Sequence, residues 1–276
     1  MDAPAPVLVA GLFPGLLEEL LGVLRSLSAE QWQQTTACPG WSVHDVALHL
    51  LADDAGILSG QRDGYYPARG QMTDWEELVA FINERNEQWV AATRRISPRL
   101  IVELLAFTGL QVTAFFQSRD PLATGGPVNW AGPEPAPVWL DLAREYTERW
   151  LHQQHIREGA GLPLLDEPLY LGPLLATFVH ALTVAYEGTA APEGTLVALV
   201  IPGPAGGAWA VSREADRWRL YQGRVASAAA TVSLPANVAW RLFTRGTSSD
   251  VARAHAVVTG DGELAEPLFS AVAILA

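Results

Sequence analysis

The chain has 276 residues, 49% hydrophobic and 17% charged, enough to bury a sizeable core in one large domain or two. That composition excludes disorder, coiled coil and collagen, and a formal net charge of −12 argues against a nucleic-acid footprint or a polybasic membrane patch. All 18 basic residues are arginine, which removes Schiff-base and P-loop lysines, and a single cysteine, Cys38, removes intrachain disulfides and four-cysteine zinc sites. The first ten residues hold Asp2 and no basic side chain, and the apolar run over 7–13 is broken by Pro14, so no signal peptide is expected. No other run reaches membrane-spanning length free of charge or proline. The expectation is a soluble cytoplasmic protein.

In chain order, Leu16, Leu17, Leu20, Leu21 and Leu24 recur at helical spacing and predict a helix over 16–27. Cys38-Pro39-Gly40 is a turn. Ser42 and Asp45 resemble a capping box opening a second helix that runs to about Leu58. A glycine- and tyrosine-containing loop fills 60–70. A third helix spans about 73–96, and Ser97-Pro98 opens a fourth over 99–117. A loop rich in proline and glycine (120–137) precedes a strong helix over 138–158, and a connector helix covers 169–186. Strands follow at 196–201, 208–211 and 218–221, the last two as a hairpin, and at 230–234. Helices are expected at 236–243 and 263–274, with a strand over 255–259 between them. The fold class is therefore α+β. A helical bundle occupies 1–160, a helical connector 161–190, and a small α+β domain 191–276.

Two places could carry chemistry. One is His49 in the second helix. The other is Glu148-Arg149-Trp150-Leu151-His152, whose carboxylate and imidazole share a helix face one turn apart. That pair can grip one divalent ion, and an imidazole from a facing helix completes a three-ligand site with an open position, the arrangement of a catalytic zinc. Against this, Glu148 and His152 lie on the same stripe as Asp141 and Glu145, opposite Trp139, Ala143, Tyr146 and Trp150. Periodicity therefore favours a solvated polar face, and spacing alone does not separate a metal cleft from a wet surface. His155 is a rival ligand. His44 lies too far round its helix to pair with His49, His180 reads as structural, and His255 has no role. Cys38 has no base identifiable from sequence and reads as a small buried hydrophobe. Asp53, four residues after His49, could orient its ring, although an exposed aspartate is the plainer reading.

The run Thr36-Ala37-Cys38-Pro39-Gly40-Trp41-Ser42-Val43-His44-Asp45-Val46-Ala47-Leu48-His49-Leu50 resembles the mycothiol-dependent maleylpyruvate isomerase family, whose N-terminal domain is a DinB-like four-helix bundle. Thr147-Glu148-Arg149-Trp150-Leu151-His152-Gln153-Gln154 matches a second landmark. Residues 218–221, 240–246 and 258–265 look like the family's sterol-carrier-like second domain. The resemblance implies a zinc site made of His49, Glu148 and His152, with a departure at His155, where the family usually has an aspartate. It implies mycothiol, or another low-molecular-weight thiol, added to an electrophilic, anionic small molecule. The outcome would be cis–trans isomerisation of a maleylpyruvate-type compound or thiol transfer. An arginine of the second domain would handle the substrate's carboxylates, with Arg241 and Arg245 as candidates. Other readings on the same bundle are a non-catalytic ligand-binding or regulatory protein and a metal-dependent hydrolase.

Overall fold

The computed structural model describes residues 1–66 and 75–273. Its helices are α1 (Phe13–Ser26), α2 (Val43–Gly56), α3 (Trp75–Thr93) and α4 (Pro98–Ser118). Strands β1 (Thr124–Pro127) and β2 (Pro135–Pro137) precede α5 (Val138–Gly159), α6 (Pro168–Phe178) and α7 (Leu182–Ala185). Then come β3 (Leu196–Ile201), β4 (Gly207–Arg213), β5 (Trp218–Gln222), β6 (Ala230–Ser233), α8 (Ala236–Phe243), α9 (Ser249–His255), β7 (Val257–Gly260) and α10 (Gly262–Ala265). Helix and sheet are both present, as the expected α+β class requires. The described residues form two compact units: those within 10–119 together with 148–165, and 1–9 with 120–147 and 166–273.

The first unit is helical. Pro14 and Pro98 sit in the first turns of α1 and α4, where a missing N–H costs nothing. Ser97 caps α4, its hydroxyl accepting from the Leu100 N–H. Apolar faces of α1, α2 and α4 meet in a core containing Leu20, Leu24, Val46, Leu50, Ile101 and Leu105, which Ile156 of α5 also enters. α2 continues beyond Gly56 as a π-helical stretch, Ile57–Arg62, so it extends past the expected end at Leu58. The expected start of the third helix at Thr73 lies outside the described residues.

The second unit holds a five-stranded sheet in the order β5-β4-β3-β6-β7, antiparallel except for the parallel pair β3–β6. β3 is the unbroken apolar run Leu196–Ile201, buried almost throughout, as suits a strand covered on both faces. β4 and β5 form the expected hairpin. Between β3 and β4, a Cβ on Gly206 would lie 1.9 Å from the Ile201 carbonyl oxygen, so only glycine fits this turn. Phe178 of α6 packs on Phe243 of α8 at 5.9 Å between ring centroids.

Several expectations are corrected. The 120–137 loop contains the short β1–β2 hairpin. Helix α9, capped by Ser248, occupies ground assigned to loop and strand, so His255 ends a helix and β7 begins at Val257. The helix expected over 263–274 is instead the short α10 followed by a 3₁₀ turn, Glu266–Ser270. Its last residue, Ile274, lies outside the described residues. Two stretches, Pro98–Ser118 and Pro168–Ala185, are long and apolar enough to cross a membrane by length and composition alone. The first carries Arg99 and Glu103 and buries Ile101, Leu105, Val112 and Phe116; the second contains Pro173 and buries Leu171, Leu174 and Phe178.

Candidate metal centre

The start of α2 is fixed by a full capping box. The Ser42 hydroxyl accepts from the Asp45 N–H, and Asp45 Oδ2 accepts from the Ser42 N–H at 3.1 Å. Arg94 Nε donates to Asp45 Oδ1 at 2.9 Å, and hydrogen bonding from Arg94 and Ser42 outweighs burial to hold this carboxyl below its usual range. With the start pinned, His49 and Asp53 follow at four-residue steps on one face. His44 turns away, donating from Nε2 to the Ile96 carbonyl at 2.9 Å, in keeping with its exclusion from the site.

From α5 come Glu148, His152 and His155. The Nε2 atoms of His49 and His152 face each other at 3.1 Å. Glu148 Oε2 lies 3.6 Å from His152 Nε2, and Asp53 Oδ2 lies 3.5 Å from His49 Nε2. The three sequence candidates His49, Glu148 and His152 are thus brought together. The Asp53 carboxylate stands beside them.

Both imidazoles are held neutral. Burial lowers the His49 pKa, with Glu148 opposing and Arg149 reinforcing. Burial and the neighbouring His49 push His152 well below the ordinary histidine value. Neutral imidazole is the metal-ligating form. Each ring also has a buried Nδ1 without a hydrogen-bond partner. Two facing nitrogens on neutral rings can share one proton, which leaves the pair under-satisfied, whereas a cation uses both lone pairs. Tetrahedral zinc with bonds of about 2.0–2.1 Å spaces two nitrogens about 3.4 Å apart. Two imidazoles and one or two carboxylates are a donor set that suits this ion.

The surroundings are built for position. On each helix the residue after a site carboxylate enters a buried ion pair: Arg149 Nη1 lies 2.7 Å from Asp54 Oδ1, with side-chain exposures of 11% and 1%. Thr108 of α4 donates to the other Asp54 oxygen at 2.5 Å. The Trp41 ring lies 5.2 Å from the His49 ring and donates from Nε1 to Glu87 at 2.9 Å.

The turn around Cys38 is tied down by the Thr35–Ser42 bridge, by the Trp41 N–H to the Cys38 carbonyl, and by Gly40 at φ 78°. It rests against α5 at Gly159, where a Cβ would come within 2.9 Å of the Thr35 carbonyl oxygen. This places Cys38 Sγ 3.1 Å from His155 Nδ1, the partner that sequence reading did not find. Burial pushes the thiol up to about 11, with Thr36 opposing and Glu148 adding. His155 and His152 are also close, 5.4 Å between ring centroids.

The remaining candidates belong to the other unit. The Arg241 guanidinium lies 4.1 Å above the Trp240 ring, and Arg245, two residues beyond the end of α8, has φ 57°. His180 sits edge-on to Trp139 at 5.5 Å with Nε2 buried and unpaired, and burial lowers it to about 4. His255 contacts the Val251 carbonyl within α9.

Asp54, Arg149 and Thr108 went unread in the sequence. The adjacency of Asp53-Asp54 and Glu148-Arg149 is the signal that could have exposed them: a charge beside each site residue, one position round the helix.

Comparison with known proteins bears on the whole arrangement. The family model described as the mycothiol maleylpyruvate isomerase N-terminal domain matches residues 13–157, a span that includes Cys38, His49, Glu148, His152 and His155. A solved structure of the mycothiol-dependent maleylpyruvate isomerase is 12% identical, covers 84% of this chain and 86% of its own, and superposes with a TM-score of 0.52. A mutant of that enzyme gives 0.50 at the same identity and coverage. At such identity the likeness is one of fold. No curated protein matches the chain. The match over 13–157 spans more than half of the residues, and the chain belongs to the mycothiol maleylpyruvate isomerase N-terminal domain family.

Proposed function

We propose that the chain is a metal-dependent enzyme that brings a low-molecular-weight thiol, mycothiol in the first instance, to an electrophilic anionic substrate. The reaction is cis–trans isomerisation of a maleylpyruvate-type compound or the related thiol transfer. The observation that carries this reading is the 3.1 Å approach of two buried, neutral imidazole nitrogens beside two carboxylates. His49, Glu148 and His152 would hold zinc, and Asp53 stands close enough to serve as a fourth donor or to yield its place to a ligand. When bound, zinc supplies a positive charge that favours the thiolate over the thiol at neutral pH.

The chain's own residues do the rest. Burial keeps His49 and His152 unprotonated and ready as donors. Glu148 brings the anionic charge that a divalent cation needs. The Asp54–Arg149 pair fixes α2 against α5, so the two halves of the donor set keep register. Trp41 covers one side of His49. The only protein thiol, Cys38, is engaged by His155, so the reacting thiol comes from outside. Arg241 and Arg245 are the proposed anion-binding side chains, since guanidinium stays charged and pairs with carboxylates in a fork.

The first test is metal content. Untagged wild type is expected to carry zinc in stoichiometric amount by mass spectrometry, and His152→Ala to lose it. Equal metal in both proteins, or none in wild type, sinks the centre. The second test offers mycothiol with maleylpyruvate and follows the change in product. Turnover that ignores the thiol would move the protein to the hydrolases.

A further inference from the structure

Cys38 and His155 are not among the metal ligands proposed above, yet they lie beside one of them, His152. The donor atoms of Cys38, His152 and His155 all lie within 4.8 Å of one another, and Cys38 Sγ already touches His155 Nδ1 at 3.1 Å. His152 has one ring nitrogen facing His49 while its Nδ1 is buried without a partner. The cysteine is rigidly presented, because its turn is bridged at Thr35–Ser42 and seated on Gly159 of α5. The two histidines sit three residues apart on that same helix.

We infer that Cys38, His152 and His155 form a second donor set, one that takes a thiophilic divalent cation through sulfur. The two sets share His152, so they are alternatives for a single ion. Each offers two imidazoles and one anionic donor, so they match in charge and differ in softness: carboxylate in one, thiolate in the other. Zinc accepts both, and cadmium favours sulfur. On binding, the S–H bond breaks, the sulfur–metal bond forms, and the proton leaves to solvent. The inference shares a residue with the proposed centre but does not require that centre to be catalytic.

The test loads the full chain with one equivalent of zinc or cadmium. Because the chain has a single cysteine, any thiolate signal belongs to Cys38. X-ray absorption of the zinc form should show a sulfur scatterer at about 2.3 Å. Cadmium should produce thiolate-to-metal absorption in the near ultraviolet. Cys38→Ser should abolish both signals, and His155→Ala should weaken cadmium binding about tenfold or more. Glu148→Gln, which disables only the oxygen-bearing set, should keep them. A wild-type shell of nitrogen and oxygen alone overturns the inference while leaving the proposed centre intact. So does cadmium binding that is unchanged in Cys38→Ser. Sulfur-bound metal that survives in Glu148→Gln, together with a wild type that shows no thiol-dependent activity, would uphold this inference and sink the proposed function.

Discussion

Arg149 of α5 and Asp54 of α2 form an ion pair at 2.7 Å that is almost wholly shielded from water. Its members are direct chain neighbours of Glu148 and Asp53, so whatever moves the pair moves the donors. Removing one partner strands a buried charge, which typically costs about 3–5 kcal/mol. Arg149→Met is therefore expected to lower unfolding free energy by that order in urea titration and to weaken zinc retention. An unchanged midpoint would show that the pair does not hold α2 to α5.

Gly159 marks where the Cys38 turn lies on α5. An added methyl would stand 2.9 Å from the Thr35 carbonyl oxygen and 3.2 Å from both Thr36 Cγ2 and Val43 Cγ2. Backbone on one side and a buried valine on the other leave little room to give. Gly159→Ala should cost about 1–3 kcal/mol despite the better helix propensity of alanine. It should also speed alkylation of Cys38 as the turn lifts. Stability equal to or above wild type would contradict the close approach.

His180 gives a pH signature away from the proposed centre. Its ring is favoured neutral in the folded chain, at about 4 against an ordinary 6.5, because of burial. The unfolded chain binds the extra proton as pH falls below 6.5, so stability is full above that value and is lost on the way down to about 4. The loss attributable to this one group is on the order of 3 kcal/mol. Comparing His180→Phe with wild type across that window removes the contribution of other groups, and the variant should show the flatter profile. Parallel profiles would mean the ring is solvated.

Zinc should stabilise the fold by binding the native donor set and not the unfolded chain. At a free concentration one hundred times the dissociation constant the gain is about 2.7 kcal/mol. The melting temperature of the metal-free protein should rise on adding zinc, and that rise should vanish in a protein carrying both His49→Ala and His152→Ala. Since His152 serves both donor sets, the double variant silences the whole cluster.

Much of this was legible in advance where the code is local. Ser42 and Asp45 announced the start of α2, the leucines of α1 their buried stripe, and the Glu148–His152 spacing a pair on one helix face. The polar residues of α5 misled, and for its two adjacent glutamines the reason is remote partners. Glu145, Gln153 and Gln154 look like solvent-facing residues but are 7%, 0% and 0% exposed. Gln153 donates to the Leu16 carbonyl 137 residues away, and Gln154 both donates to and accepts from the backbone of Leu165. Burial satisfied by distant backbone leaves no trace in periodicity. The Cys38–His155 contact was hidden for the same reason, being 117 residues apart in sequence. The β1–β2 hairpin and α9 escaped because each is a few residues long and rests on tertiary support.

The chain supplies the halves of the helical unit out of order. Residues 10–119 are followed by a stretch belonging to the other unit before 148–165 return to close the first. His49 and His152, 103 positions apart, therefore leave the ribosome at well-separated times. During that interval the early helices wait with the face that receives Ile156, Arg149 and His152 uncovered. A metal at the proposed centre would find only half of its donor set until His152 emerges, so loading would follow synthesis of more than half of the chain. Truncation before Glu148 removes the unit's closing segment together with two of the proposed ligands, and neither compact unit can be excised as one continuous piece of polypeptide.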